Sequence, residues 1–233
     1  MQDILDHFDL FLKAFASTIE LFLVAGIASL ILGTLLAAMR VGPVSVLAKA
    51  VATYVTVVRN TPLLMIFIIM TIGFPKIGYT FLSAEDVIQN ISPGDWTVSS
   101  FFIRASIALT LYTSAFVCEA FRAGINSVAL GQAEAARAIG LTFAGSMRQI
   151  VLPQALRAAV PPLASVQIAL AKNTSVAAVF GILEATARMK YFTNRNADER
   201  ELVFVTFAVG YVIIVELVSF AANRLERRWA VAR

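Results

Sequence analysis

The sequence predicts an all-α integral membrane protein with about five transmembrane helices, and three observations predict it. Of its 233 residues, 59% are hydrophobic and only 15% charged, whereas about a quarter of a water-soluble domain is charged. Apolar runs recur at the length needed to cross a hydrocarbon core about 30 Å thick. The basic residues behind the net charge of +4 sit in the gaps between those runs. They form no interleaved basic and aromatic face, so membrane topology explains them and a nucleic-acid partner is not expected.

The elements follow in order. Leu10 to Met39 is the first span, too long for a signal-peptide core and read as a retained helix. Its Gly26 and Gly33 leave room for a neighbouring helix to approach. After Gly42-Pro43 comes a shorter stretch, Val46 to Val58, and then Arg59-Asn60-Thr61-Pro62 interrupts the pattern before Leu63 to Ile72. Pro62 breaks or kinks the helix there. Phe74 to Ser99 mixes Gly, Pro and Ser with Glu85, Asp86, Asp95 and Lys76 and reads as an aqueous loop.

Arg104 to Ile125 is the next span. Gly124 to Arg157 is alanine-rich and carries Arg137 and Arg148, too polar to cross lipid, so it is expected to be helical and to lie at the membrane surface. Gly131 and Gly140 punctuate it into two short helices. A further span is expected from Pro161-Pro162 to Leu170, followed by Lys172-Asn173-Thr174-Ser175 and a short apolar piece to Leu183. Glu184 to Glu201 reads as polar and turn-rich. Leu202 to Ala222 is the last span, and a basic tail with Arg224, Arg227, Arg228 and Arg233 closes the chain.

Lysine and arginine accumulate in cytoplasmic connections. Arg40, Lys49 and Arg59 fall in the first connection, Arg122, Arg137, Arg148 and Arg157 around the surface segment, and Arg224, Arg227, Arg228 and Arg233 in the tail. Asp3, Asp6 and Asp9 precede the first span. Five spans with the N-terminus outside and the C-terminus in the cytoplasm satisfy this distribution. Arg188, Lys190, Arg195 and Arg200 weaken it but are nearly balanced by acids.

The surface segment contains Glu134-Ala135-Ala136, then Gly140, then Ile150, Leu152 and Pro153. This resembles, at every defined position, the Glu-Ala-Ala signature of permease subunits of binding-protein-dependent ATP-binding-cassette importers. Arg59-Asn60-Thr61-Pro62-Leu63, Glu119 to Ile125 and Lys172 to Ser175 are similar to segments of the polar amino-acid branch of that family, and the likeness covers roughly residues 15 to 223. Stretches around Met39-Arg40-Val41, Tyr112-Thr113-Ser114 and Gly131 to Arg137 resemble the glutamate-uptake permeases of actinobacteria.

The resemblance implies that Glu134, Ala135, Ala136, Gly140, Ile150, Leu152 and Pro153 form a coupling elbow seated in a cytoplasmic ATPase. It implies two copies of that ATPase, a second and related permease subunit, an extracellular amino-acid-binding protein, and a bacterial cell membrane as the setting. ATP and magnesium would be bound by the partner ATPase and no cofactor by this chain, which has no Gly-x-x-x-x-Gly-Lys phosphate loop. Glutamate is the implied substrate, with glutamine or a basic amino acid as the alternative. The implied division is an external segment over 1–14, the transmembrane domain over 15–223 and a cytoplasmic tail over 224–233.

Single residues leave alternatives. Glu119 and Arg122 stand three apart on a helix and can pair, as a structural clamp or a gating contact. Lys172 beside Asn173 and Thr174 either lies where a broken helix frees backbone groups for substrate or snorkels and caps carbonyls. Arg59, with Asn60, Thr61 and Pro62, either meets a substrate carboxylate or follows the positive-inside rule. Glu20 and Glu216 interrupt apolar runs and receive no role. Cys118 is expected to be a buried small residue and His7 an exposed terminal one. A self-sufficient secondary transporter would show two related halves, and no second copy of any segment is found. An intramembrane enzyme would need a nucleophile with a base or a metal set, and the lone His7 precedes the first span.

Overall fold

The structure, a computed structural model, describes residues 4, 6–79 and 99–229. The expected loop acids Glu85, Asp86 and Asp95, with Asp3 and Arg233, lie outside the described residues. Among the described residues, every regular element is helical. Four helices are long and apolar enough to cross a bilayer, and a bent pair makes a fifth span.

Helix α1 is Phe8–Val41. Its apolar side chains run all round, as a span bordered by lipid on one side requires: Ala14, Leu21, Ala25 and Ala37 are buried, whereas Leu23, Ile27, Ile31 and Leu35 are exposed. Helices α2, Ser45–Asn60, and α3, Leu63–Lys76, meet at an angle of 104°. The expected break at Pro62 is present: Thr61 is extended (φ −97°, ψ 128°), the conformation forced on a residue before proline. The Thr61 hydroxyl donates to the Val57 carbonyl at 2.8 Å and completes the end of α2.

Helix α4, Ser100–Asn126, starts at Ser99, whose Oγ accepts from the Phe102 amide at 3.2 Å. It is the most buried span and packs against α1 and against the long helix α6 described below. Close approach depends on two glycines. A Cβ on Gly33 would lie 2.5 Å from the Val117 side chain, and one on Gly124 would lie 2.9 Å from the Ala159 Cβ. The Tyr54 hydroxyl of α2 donates to the Leu111 carbonyl at 2.8 Å and fixes α2 on the same helix.

Three expectations are corrected beyond α4. Helix α5 is Leu130–Ala138, so Gly131 lies inside its first turn and does not separate two helices. Helix α6 runs from Phe143 to Phe180 as one element of 38 residues, so the second half of the surface segment and the following span are continuous and pass through Pro153, Pro161 and Pro162. The stretch expected to be turn-rich holds helix α7, Ala185–Arg195, which buries Ala185 and Phe192. Helix α8, Arg200–Trp229, completes the bundle and carries Arg224, Arg227 and Arg228 in its last turns.

Helix α8 meets α1 through rings: Phe207 lies 5.0 Å from Phe11 and 5.8 Å from Phe15, centre to centre. Glu184 joins this region. It is fully buried, its carboxylate accepts from the amides of Thr186 (3.0 Å) and Ala187 (3.1 Å) to cap α7, and the Tyr211 hydroxyl of α8 donates to it. Thr18 of α1 completes the connection, its hydroxyl oxygen accepting from the Ala185 amide at 3.1 Å.

Candidate functional site

Two sites emerge, an elbow that follows α4 and a charge cluster around Glu119 of α4. The elbow is α5, the bend over Ile139 to Thr142, and the first turns of α6. Helix α5 ends because Gly140 takes the left-handed conformation, φ +90°. The Gly140 amide then donates to the Arg137 carbonyl at 3.0 Å and the Leu141 amide to the Ala136 carbonyl at 3.1 Å, the pair of reversed bonds that satisfies a glycine-terminated helix. Thr142 restarts the chain, its hydroxyl accepting from the Gly145 amide at 3.1 Å.

The two arms are tied to each other. Gln154 donates to the Gln132 side chain across the bend and to the Ile150 carbonyl at 3.0 Å. Of the residues singled out by spacing, Ala136 is buried and Ile150 half-buried, so they hold the arms together; Glu134, Ala135, Gly140, Leu152 and Pro153 are exposed. The elbow's most exposed large apolar side chains lie outside that spacing. Leu130 and Ile139 are each 80% exposed and Phe143 is 60% exposed, a concentration of bare apolar side chains on a polar element.

In the charge cluster, Glu119 gathers three arginines. Arg40, at the end of α1, donates to Oε1 at 2.6 Å; Arg122 donates from Nε to Oε2 at 2.9 Å; Arg59 lies 3.6 Å from Oε1. The expected Glu119–Arg122 pair is present, and Arg40 and Arg59 join it from elements distant in sequence. Arg59 also stands 5.5 Å from the Phe116 ring centre, a cation–π distance. Arg59 and Asn60 end α2, and Thr61 and Pro62 form the bend, so the cluster sits beside the hinge of the broken span.

At the far end of α6 the helix tightens instead of breaking. Its α-helical part ends at Asn173 and continues as a 3-10 helix over Thr174–Phe180. The carbonyls of Ala171 and Lys172 are taken by the Thr174 and Ser175 hydroxyls at 2.8 and 2.7 Å. Freed backbone groups are therefore not what Lys172 contributes; its side chain is exposed. Cys118 is buried as expected and His7 is half-buried. Among the described residues, no group of three or more His, Cys, Asp or Glu could hold a metal ion.

The family described as binding-protein-dependent transport system inner membrane component matches residues 29–231. The chain belongs to this family. As such an inner-membrane component, it is 41% identical over 223 residues to a glutamate transport system permease protein of Corynebacterium efficiens, covering 95% of each chain. It is 32% identical over 221 residues to a glutamate/aspartate import permease protein of Escherichia coli K12, covering 93% of this chain and 85% of that one. A crystal structure of an amino acid ABC transporter with histidines superimposes with a TM-score of 0.82 at 25% identity, covering 97% of both chains.

Proposed function

We propose that the chain is the membrane-spanning permease subunit of an ATP-driven importer for glutamate, and that the elbow over Leu130 to Pro153 transmits the work of a separate ATPase. The observation that carries the coupling role is the continuity of α6. An element that runs unbroken from exposed Phe143 at the elbow to Phe180 is one lever. A partner that grips Leu130, Ile139 and Phe143 moves the spans directly. The likeness to glutamate permeases supports the substrate.

Two cytoplasmic ATPase copies would bind ATP and magnesium, a second related permease subunit would complete the pathway, and an external binding protein would deliver the amino acid. Hydrolysis belongs to the ATPase, so this chain performs no covalent chemistry. ATP-driven closure pulls the elbows and the bundle alternates between inward-facing and outward-facing states. Arg40, Arg59 and Arg122 on one end and the arginines in the last turns of α8 support a cytoplasmic C-terminus and an external N-terminus.

The test is uptake of labelled glutamate, glutamine and arginine by vesicles holding the chain with its co-purifying partners, with and without ATP. ATP-dependent glutamate uptake is expected. ATP-dependent uptake of arginine alone would overturn the substrate, and ATP-independent uptake would overturn the class.

A further inference from the structure

Helix α8 enters the hydrocarbon at Leu202. At about 1.5 Å per residue, its run from Leu202 to Ala222 rises about 30 Å, one hydrocarbon thickness. Arg200 and Glu201, the first two residues of α8, therefore stand where hydrocarbon gives way to headgroups. A cavity of about 530 Å³ opens there between α7 and α8, with Met189 and Lys190 on the α7 wall and Arg200, Glu201, Phe204 and Val205 on the α8 wall. The spacing of four residues puts Phe204 and Val205 one turn deeper than Arg200 and Glu201 on the same face. Phe204 and Val205 are 58% and 52% exposed, so a charged rim and a bare apolar wall are stacked along the helix.

The charges of the rim are uncommitted. Lys190 and Arg200 are exposed, and among the described residues neither forms an ion pair within 4.0 Å. The other two cations of α7 are engaged, with the Arg188 and Arg195 guanidiniums 5.6 and 5.5 Å from the Tyr191 ring centre. Asp198 and Glu199, in the turn before α8, do not line the cavity. Two cations and the Glu201 carboxylate leave its lining with one net positive charge.

We infer that this cavity seats the phosphodiester of an anionic phospholipid, with Lys190 and Arg200 facing the phosphate and the acyl chains leaving over Phe204 and Val205. The inference stands on the membrane fold and is independent of the cargo and of the coupling role. A soluble phosphate would satisfy the cations and leave the apolar wall bare. A lipid brings one negative charge and hydrocarbon in the same order along the bilayer normal as the cavity presents their complements, and it is the solvent of α8 at this depth. Basic pockets between spans recognise anionic headgroups by this combination.

The experiment titrates the detergent-solubilised permease, with its co-purifying ATPase, with dioleoyl phosphatidylglycerol, dioleoyl phosphatidylcholine and glycerophosphoglycerol, the first headgroup without its chains; native mass spectrometry counts the bound molecules. Wild type should prefer phosphatidylglycerol to phosphatidylcholine by at least about fivefold and bind glycerophosphoglycerol far more weakly than either. Lys190→Gln and Arg200→Gln should each weaken phosphatidylglycerol by about fivefold and leave phosphatidylcholine unchanged, Arg200→Lys should retain binding, and Glu201→Gln should strengthen it. Arg228→Gln, at the other end of α8, controls for unspecific charge and should change nothing. Unchanged lipid binding in Lys190→Gln and Arg200→Gln would overturn the site, and if those variants also lost uptake the surface would pass to a protein partner. Equal binding of phosphatidylcholine, an equal loss in Arg228→Gln, or glycerophosphoglycerol bound as tightly as the whole lipid would each overturn it as well, the last in favour of a soluble anion.

Discussion

Arg40 donates to Glu119 at 2.6 Å across 79 residues of sequence, joining the last turn of α1 to α4. Both side chains are less than a fifth exposed, so the pair lies between the surface regime, worth about 0–1 kcal/mol, and the buried one, where removing one partner costs about 3–5 kcal/mol. Glu119→Gln leaves three guanidiniums facing one another, and a loss of about 2 kcal/mol is expected, measured as a lowered thermal midpoint in lipid. Arg40→Gln should cost more than Arg59→Gln, because Arg59 is 44% exposed and 3.6 Å from the carboxylate. The reverse order would mean that the hinge, not the α1 contact, is what Glu119 secures.

The elbow separates stability from coupling. Ile139 is 80% exposed and Ala136 is 4% exposed. Ile139→Asp should leave the thermal midpoint within about 0.5 kcal/mol of wild type, as surface substitutions do, and abolish co-purification of the ATPase. Ala136→Leu should destabilise the elbow by about 1–3 kcal/mol through overpacking between the arms. Retained ATPase binding by Ile139→Asp would remove the apolar contact surface from the coupling argument.

The features legible in sequence were those set by local chemistry. Apolar runs marked the spans, Pro62 marked the 104° bend, and the spacing from Glu134 to Pro153 marked the elbow. Pairing between distant elements was not legible: an i,i+3 rule finds Arg122 for Glu119, but Arg40 and Arg59 reach it only through the packing of α1 and α2 on α4. The polarity of Gly124 to Arg157 separates that segment from the following span in the sequence, whereas α6 continues through both and through Pro161 and Pro162. Glu184 caps α7, although helix caps are most often Ser, Thr, Asp or Asn. Nothing local signals that a glutamate will be fully buried.

Burial pushes the Glu184 carboxyl above its ordinary value of 4.5, and the hydrogen bonds from Thr186, Tyr211 and Ala187 offset this only in part. The folded protein then holds that proton more tightly than the unfolded chain does. The associated stability is fully present below the unfolded value and declines as pH rises through the raised folded value. The thermal midpoint of wild type should therefore fall across that window, and Glu184→Gln should flatten the fall. An unchanged slope in the variant would assign the pH response to another group.

Gly140 and Gly124 make opposite predictions from the same substitution. No atom lies within 4 Å of a Cβ built on Gly140, so Gly140→Val meets no steric neighbour, but φ of +90° strains any β-branched residue. The strain, about 1–2 kcal/mol, is confined to the bend, and it should tilt α5 away from α6. The expected result is a permease that assembles in the membrane and unfolds near the wild-type temperature while ATP-dependent uptake collapses. At Gly124 the backbone conformation is ordinary, yet a Cβ would strike the Ala155 carbonyl and lie 2.9 Å from the Ala159 Cβ. Gly124→Val must therefore force α4 from α6, at about 3 kcal/mol or more, and should lower the yield of folded protein before any transport is lost. Comparing uptake per folded molecule decides the matter: Gly140→Val should fall and Gly124→Val should fall far less. Equal losses per folded molecule would mean that the elbow transmits force through the α4–α6 contact as well as through α5.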